Sequence, residues 1–142
     1  MIRAAEPADA AQLAQLLCEL GYSNQAEDVV RRLSGMDARR EWVLVATEGE
    51  RLVGLAAYAV IPWFASDGAH CRLSAMVVAG SARSRGVGAA LLDAVERQAR
   101  ELGCTAMEVT SAEQRLRAHA FYERHGYRPA SRRFVKALHP PS

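Results

Sequence analysis

The stretch that decides the fold runs from Val77 to Leu92 and reads VVAGSARSRGVGAALL. Two β-branched residues end a predicted strand, a short polar loop follows, and the apolar spacing after Gly86 predicts a helix. The first turn of a helix carries unpaired backbone N–H groups and a partial positive charge. Gly86 and Gly88 lack a Cβ atom, so a bulky anion can approach those groups. The turn is therefore predicted to seat a phosphate.

Two arginines in the same turn strengthen the prediction of an anion site. Arg83 and Arg85 carry guanidinium groups whose planar fork suits phosphate oxygens. Neither common nucleotide-binding pattern is present, because the sequence lacks both GxxxxGK[ST] and a GxGxxG after the first strand. A plain strand-to-helix turn that contains two glycines stays open as the alternative at this point.

Hydrophobic periodicity places this turn within an order of alternating strands and helices. Residues 1–5 predict a first strand, and leucines at helical spacing predict a helix that ends at Gly21. Further strands are predicted at 42–47, 52–61, 71–78, 107–110 and 134–138, and further helices after Ser23 or Asn24, from Gly86 to Gly103, and at 116–124. This order predicts a mixed α/β sheet in one layered domain.

Length and composition narrow the class of protein. The 142 residues predict one domain over 1–138 with a frayed tail at 139–142. A net charge of +2 does not indicate a nucleic-acid partner. Three cysteines without a CxxC pair predict reduced thiols in a cytoplasmic protein. Since no leader or membrane-length apolar run stands out, we expect a soluble protein without a membrane partner.

The motifs together resemble a known family. The run Arg83-Ser84-Arg85-Gly86-Val87-Gly88 matches the R/Q-x-x-G-x-G/A signature of the GCN5-related N-acetyltransferase (GNAT) superfamily, and Met76-Val77-Val78 resembles the family's fourth strand. The FYxxxGY run at 121–127 resembles its late segment. This likeness covers nearly the whole chain. It implies an α/β (α+β) single domain with a mixed, mostly antiparallel sheet of six to seven strands, about four flanking helices, and a splay between strands 4 and 5.

The resemblance also implies a donor and its binding residues. Acetyl-CoA would be the acyl-donating cosubstrate, and no metal would be needed. The pantetheine arm would lie along strand 4 and the pyrophosphate on the turn, held by Met76, Val77, Val78, Arg83, Ser84, Arg85, Gly86, Val87, Gly88 and Ala89. A backbone N–H near Val78 would stabilise the oxyanion. Tyr122 would protonate the departing thiolate as a general acid, whereas without the resemblance it would be interpreted as a core aromatic.

The sequence contains fewer indications of the residues that bind and deprotonate the acceptor amine. Several relatives carry a glutamate on strand 4 as the general base, but the corresponding run Leu73-Ser74-Ala75-Met76 has no carboxylate. Glu108, Asp67 and His70 are the substitutes that the sequence offers, and a water chain or a free amine is the alternative. A second interpretation also stays open, in which Asp67 and His70 are surface residues of a loop and a strand edge and Glu108 faces solvent. Trp63, Phe64 and Ser74 are candidate substrate contacts, and Trp42 and Tyr58 are expected in the core. No His or Cys spacing predicts a metal site.

Three functions stay open. The leading hypothesis is direct acetyl transfer from acetyl-CoA to a primary amine of a small molecule. Within the family the pattern resembles small-molecule amine acetyltransferases such as the aminoalkylphosphonate N-acetyltransferases, through Arg115, Ala118-His119, Phe121-Tyr122, Gly126-Tyr127, Arg133-Phe134 and Lys136-Ala137-Leu138. The alternatives are a protein N-terminal or lysine acetyltransferase and a non-catalytic acyl-CoA-binding module. Because homodimers are common among similar proteins, a homodimer is also expected.

Overall fold

The computed structural model describes residues 1–110, 116–130 and 133–139. Its helices and strands follow in the order β1 Ile2–Ala4, α1 Ala10–Leu20, α2 Ala26–Ser34, β2 Glu41–Glu48, β3 Arg51–Pro62, β4 Ala69–Val78, α3 Val87–Glu101, β5 Cys104–Val109 and α4 Leu116–Arg124. Short 3-10 turns at Pro7–Asp9 and Gly80–Ala82 precede α1 and α3. The chain divides into two compact units, Met1–Thr110 and Ser111–Ser142.

The first unit is built on one mixed sheet. Its strands lie side by side in the order β1-β2-β3-β4-β5. The first four are antiparallel neighbours, and β5 is parallel to β4. The parallel pair follows from the connection, because a helix between two strands returns the chain to the same end of the sheet. The predicted mixed sheet and its helices are therefore confirmed.

The predicted number of strands is wrong. The described residues form a sheet of five strands instead of six to seven. The predicted last strand at 134–138 has no regular structure. Its apolar residues Phe134, Val135 and Leu138 are 87%, 73% and 85% exposed. Strand propensity reflects packing against neighbouring strands, so an apolar run without a ladder partner does not form a strand.

Helices and sheet share a core of aliphatic side chains. In α1, Leu13 and Leu16 are buried, and Gly21 ends the helix in a left-handed conformation (φ 105°). The largest fully buried side chains belong to the middle strands and α3, namely Val45, Val53, Cys71, Leu73, Leu91, Leu92 and Val95. The expected core aromatic Tyr58 is buried and stacks on Trp42. Within the described parts of the chain, no helix is long and apolar enough to span a membrane.

Candidate active site

Strands β4 and β5 separate to form a fork. They pair from Ala69 with Cys104 to Leu73 with Val109, where β5 ends. Strand β4 continues to Val78 and remains paired with β3 on its other side. The outer edge of β4 from residue 74 to 78 therefore has no strand partner among the described residues, at the place where the splay is predicted.

A bulge at Ser74 decides which backbone groups face this open edge. Ala57 pairs with Ala75 and the next residue of β3 pairs with Leu73, so Ser74 is the extra residue. Its hydroxyl donates to the Ala57 carbonyl at 3.2 Å. Such a bulge shifts the alternation of the backbone along the strand.

The direction of the groups beyond the bulge follows from one hydrogen bond. The Ala79 N–H donates to the Val53 carbonyl at 2.8 Å, toward β3. Because successive residues of a strand direct their N–H and C=O groups to opposite edges, those of Val78 and Met76 face the open edge. The groups of Val77 face β3. Of the three strand residues predicted to bind pantetheine, two thus present free backbone groups.

The turn after β4 exposes a row of unpaired amides. Ser84 and Gly86 both adopt positive φ, at 68° and 79°. Gly86 is the N-cap of α3, and the first intrahelical bond runs from Ala90 N–H to its carbonyl. Within the described chain, no acceptor lies against the N–H groups of residues 84–89. Successive free N–H groups at a helix N-terminus form an anion-binding concavity.

The two arginines of the turn have different surroundings. Arg85 donates to the Ser81 carbonyl and pairs with Glu48, at 3.1 Å in each case. Arg83 is exposed and has no ion-pair partner among the described residues. The guanidinium of Arg83 is therefore available to bind an anion, whereas that of Arg85 is held by Ser81 and Glu48.

Helix α3 approaches β3 closely because Gly54 has no side chain. A Cβ atom at this position would lie 2.9 Å from Leu91 Cδ1 and 3.1 Å from Val87 Cγ1. Val87 is the first residue of α3, so this contact sets where the free N–H groups lie relative to the end of β4.

Polar side chains form a cluster beside the fork, which we call the β4–β5 cluster and define as Trp63, His70, Arg72 and Glu108. The imidazole Nδ1 of His70 lies 2.7 Å from Glu108 Oε1. Arg72 donates through Nε and Nη2 to Glu108 Oε2, both at 3.0 Å. The ring of Trp63 stacks on His70, with centroids 4.7 Å apart and planes 5° apart.

Electrostatics hold the Glu108 carboxyl ionised. The hydrogen bond with His70 lowers its pKa most, burial opposes this, and the hydrogen bond and charge of Arg72 lower the pKa further. Of the predicted base substitutes, the structure thus brings Glu108 and His70 together. Asp67 makes no ion pair within the described residues, and Phe64 is fully exposed.

The second unit carries Tyr122 near the end of α4. His125, Gly126 and Tyr127 close the helix: Gly126 has φ 91°, its N–H donates to Glu123, and Tyr127 N–H donates to the Tyr122 carbonyl at 3.0 Å. This is the Schellman arrangement of a helix C-terminus. Burial raises the pKa of Tyr122 to about 12. Arg115, which contributes to the family likeness, lies outside the described residues.

The sequence also matches a family as a whole. The sequence model of the acetyltransferase (GNAT) family matches residues 10–127. The chain belongs to the GNAT acetyltransferase family. Aminoglycoside N(6')-acetyltransferase type 1 of Klebsiella aerogenes is 34% identical over 113 residues, which cover 74% of this chain and 74% of that protein. The family model and this relative together identify the GNAT protein as an acyl-CoA-dependent acetyltransferase.

Solved structures agree in fold with this GNAT domain. A Bacillus halodurans protein described as a transcriptional regulator superposes with a TM-score of 0.89 at 22% identity, covering 97% of this chain and 99% of that one. A GNAT family acetyltransferase of Staphylococcus aureus superposes with a TM-score of 0.81 at 24% identity, covering 97% and 98%. At these identities the likeness concerns the fold alone.

Sequence reasoning missed the part that Arg72 plays in the GNAT domain's fork. Arg72 and Glu108 are register partners on β4 and β5, but the register of a parallel pair is not visible in either strand alone. The available signal was the alternation of buried Cys71 and Leu73 with polar His70 and Arg72, which places the polar pair on the other face. Within the described residues, no cluster of metal ligands is present.

Proposed function

We propose that this GNAT protein transfers an acetyl group from acetyl-CoA to a primary amine of a small molecule. The proposal rests on two features that follow each other along the chain, an open strand edge and a row of free N–H groups. The open edge of β4 ends at Val78, and the row of free N–H groups begins six residues later at Ser84. An extended amide-containing arm suits the first feature, and a pyrophosphate suits the second.

The described residues fit coenzyme A by their chemistry. The backbone groups of Met76 and Val78 would form hydrogen bonds with the pantetheine amides, as an added strand does. Val77 lies between these two residues, and its own backbone groups face β3. Residues 84–89 would bond the pyrophosphate, and Arg83 would add a charged donor. Coenzyme A supplies an activated acyl thioester. The chain's own contribution is to hold it extended and to leave the reacting end at the fork.

Tyr122 is proposed as the general acid that protonates the leaving thiolate. Because burial raises its pKa to about 12, the phenol keeps its proton throughout the neutral range. The same shift makes it a weaker acid, and catalysis is most efficient when the pKa lies near the working pH. We therefore expect a rate contribution of about 10²-fold, at the low end for general acid catalysis.

The acceptor is proposed to be a small molecule. The curated relative that aligns with this chain acetylates an aminoglycoside, and its chemistry is transfer to an amine. An aminoglycoside is therefore the first acceptor to test, followed by aminophosphonates, polyamines and arylalkylamines. A cytoplasmic location and a homodimer remain expectations that accompany this proposal.

An acceptor screen tests the proposal. The protein is mixed with acetyl-CoA and each amine, and the released CoA thiol is titrated with a chromogenic disulfide. We expect release above the no-amine rate with at least one small amine. Transfer only to N-terminal or lysine peptides would instead identify a protein acetyltransferase. CoA binding by calorimetry without transfer to any acceptor would identify a non-catalytic binding module.

A variant tests the placement of the donor separately. Gly88→Val puts a branched side chain among the free N–H groups and is expected to abolish CoA binding. Gly35→Val, at a helix end with a negative φ, is the matched control. CoA affinity that survives Gly88→Val would refute this placement.

A further inference from the structure

The β4–β5 cluster has the arrangement of an oriented histidine. An ionised carboxylate can only accept hydrogen bonds, so the 2.7 Å contact with Glu108 requires a hydrogen on His70 Nδ1. In the neutral ring Nε2 then carries a lone pair. Arg72 holds the other carboxylate oxygen, and Trp63 covers one face of the imidazole. The ring is thus fixed in tautomer and orientation.

Nothing in the described part of the chain uses the lone pair of His70. Nε2 has no hydrogen-bond partner there, and the side chain remains 22% exposed. The charged groups around the ring are Glu108 from β5 and, through it, Arg72 from β4. A ring held at one nitrogen and open at the other is suited to accept a proton.

We propose that His70 accepts the proton of the acceptor amine and that Glu108 positions it. This inference rests on the proposed function. The run at residues 73–76 of β4 has no carboxylate, and the role of base falls instead to His70, which lies earlier on the same strand. Glu108 acts through the imidazole and is therefore a positioning residue.

The location of the cluster supports this assignment. Arg72 and Glu108 are register partners one step before the last pair of the fork, Leu73 with Val109. His70 lies four residues before the bulge at Ser74, or about 13 Å along the strand at the usual rise. The proposed proton path crosses this distance through water between the amine and Nε2.

The transfer consumes an ammonium group and releases one proton. An ammonium R–NH3⁺ gives one proton to Nε2 through water, and the free amine attacks the thioester carbonyl. A C–N bond forms and the C–S bond breaks. The thiolate takes a proton from Tyr122, and the second proton of the nitrogen passes through water to the Tyr122 phenolate and restores the phenol. The products are an amide, CoA thiol and one proton, which leaves the imidazolium for solvent.

The pH dependence of kcat/KM tests the role of His70. Without a base, only the unprotonated amine reacts, so the rate falls tenfold per pH unit below the pKa of the amine. We expect His70→Ala to show this dependence and to lose about 10²-fold or more near neutrality. The wild type should hold its rate to lower pH. His139→Ala, at an exposed position, is the matched control. A loss that is equal at every pH would overturn the proposal.

Two further measurements separate catalysis from folding. Added imidazole is expected to restore part of the rate of His70→Ala and to leave the wild type unchanged. Nitrogen NMR of labelled histidine should show the Nδ1–H tautomer at His70, and Glu108→Gln should reduce the rate about tenfold with an altered pH profile. Absence of rescue, or an Nε2–H tautomer, would refute the inference.

The activities of the wild type and of His70→Ala distinguish an error in the role of His70 from an error in the proposed function. If the wild type acetylates an amine and His70→Ala matches it at all pH values, only the role of His70 is wrong. If the wild type acetylates no amine, the proposed function fails and the inference fails with it.

Discussion

The backbone amide of Tyr127 donates to the carbonyl oxygen of Tyr122, and the two aromatic rings meet with centroids 5.7 Å apart and planes at 62°. Both contacts belong to one helix end, in which Gly126 takes the left-handed position. The spacing of the FYxxxGY run therefore has a local physical reason: the glycine turns the chain so that the second tyrosine packs on the first.

Replacing Gly126 tests this helix end. Gly126→Ala forces a Cβ atom into a φ of 91° and should lower the free energy of unfolding by about 1 kcal/mol. Gly35→Ala is the matched control, because Gly35 ends α2 at φ −87° with only an ordinary contact to Arg31 O at 3.5 Å. Urea denaturation measures both. Equal effects of the two substitutions would contradict the role of the left-handed turn.

Tyr122→Phe tests the general acid. The variant should lower kcat by about 10²-fold and leave the affinity for acetyl-CoA unchanged, because only the proton donor is removed. Tyr22→Phe, at an exposed position, should retain the wild-type rate. Since the pKa of Tyr122 is raised to about 12, ionisation of this phenol should cause no loss of kcat up to pH 10. Unchanged turnover in Tyr122→Phe would exclude the role.

The pattern of the sequence predicts the order of elements from β1 to α4, and the resemblance to the family implies the place of the fork. The signature from Arg83 to Gly88 predicts the strand, turn and helix because glycines and apolar spacing act locally. The details of the open edge were not predictable. They depend on the bulge at Ser74, which appears only when β4 is paired residue by residue with β3.

Long-range contacts explain the remaining differences. The last predicted strand, at 134–138, contains apolar residues, but such a run forms a strand only when a partner strand is present. The β4–β5 cluster likewise brings together residues 38 positions apart, His70 and Glu108, through a parallel register. Neither result follows from local pattern, because both depend on which strands become neighbours.

The unequal surroundings of the two arginines predict unequal effects on CoA binding. Arg83→Gln should weaken CoA binding about 10- to 100-fold, the usual value of a charged hydrogen bond. Arg85→Gln should have a smaller effect, because Arg85 is held by Glu48 and the Ser81 carbonyl. Calorimetry with CoA measures both. S-acetylpantetheine, which lacks the pyrophosphate, should bind both variants like the wild type, and an Arg83→Gln defect with this ligand would refute the assignment.

Acid stability should depend on Asp9. This carboxylate is 6% exposed and bonds both terminal nitrogens of Arg3, at 2.8 and 2.9 Å. The hydrogen bond from Arg3 lowers the pKa of Asp9 against an opposing effect of burial. A carboxyl with a lowered folded-state pKa stabilises the protein above its unfolded-state value, about 3.9, and the contribution is lost as pH falls further.

Asp9→Asn should therefore be less stable than the wild type at pH 7, and the difference should shrink below pH of about 4. Asp37→Asn, where the carboxylate is 44% exposed and lies 3.6 Å from Arg39, is the matched control and should change stability little at either pH. Thermal unfolding between pH 3 and 7 measures the three proteins. A constant difference between Asp9→Asn and wild type across this range would contradict the prediction.

The contact of Gly54 with α3 links the packing of the core to the anion site. Gly54→Ala places a Cβ atom 2.9 Å from Leu91 and 3.2 Å from the Val77 carbonyl, so α3 must shift or the strand must bend. We expect a loss of about 1–3 kcal/mol in the free energy of unfolding. CoA affinity should fall as well, because the shift begins at Val87, the first residue of the helix.

A second substitution separates crowding at the helix from crowding at the strand. Leu91→Val removes the δ carbons that the new methyl group would meet, so the double variant should lose less stability than the sum of the two single variants. If crowding displaces α3, the double variant should also regain part of the CoA affinity. Strict additivity would place the strain at Val87 or at the Val77 carbonyl instead, and the loss of CoA affinity would then be insensitive to Leu91→Val.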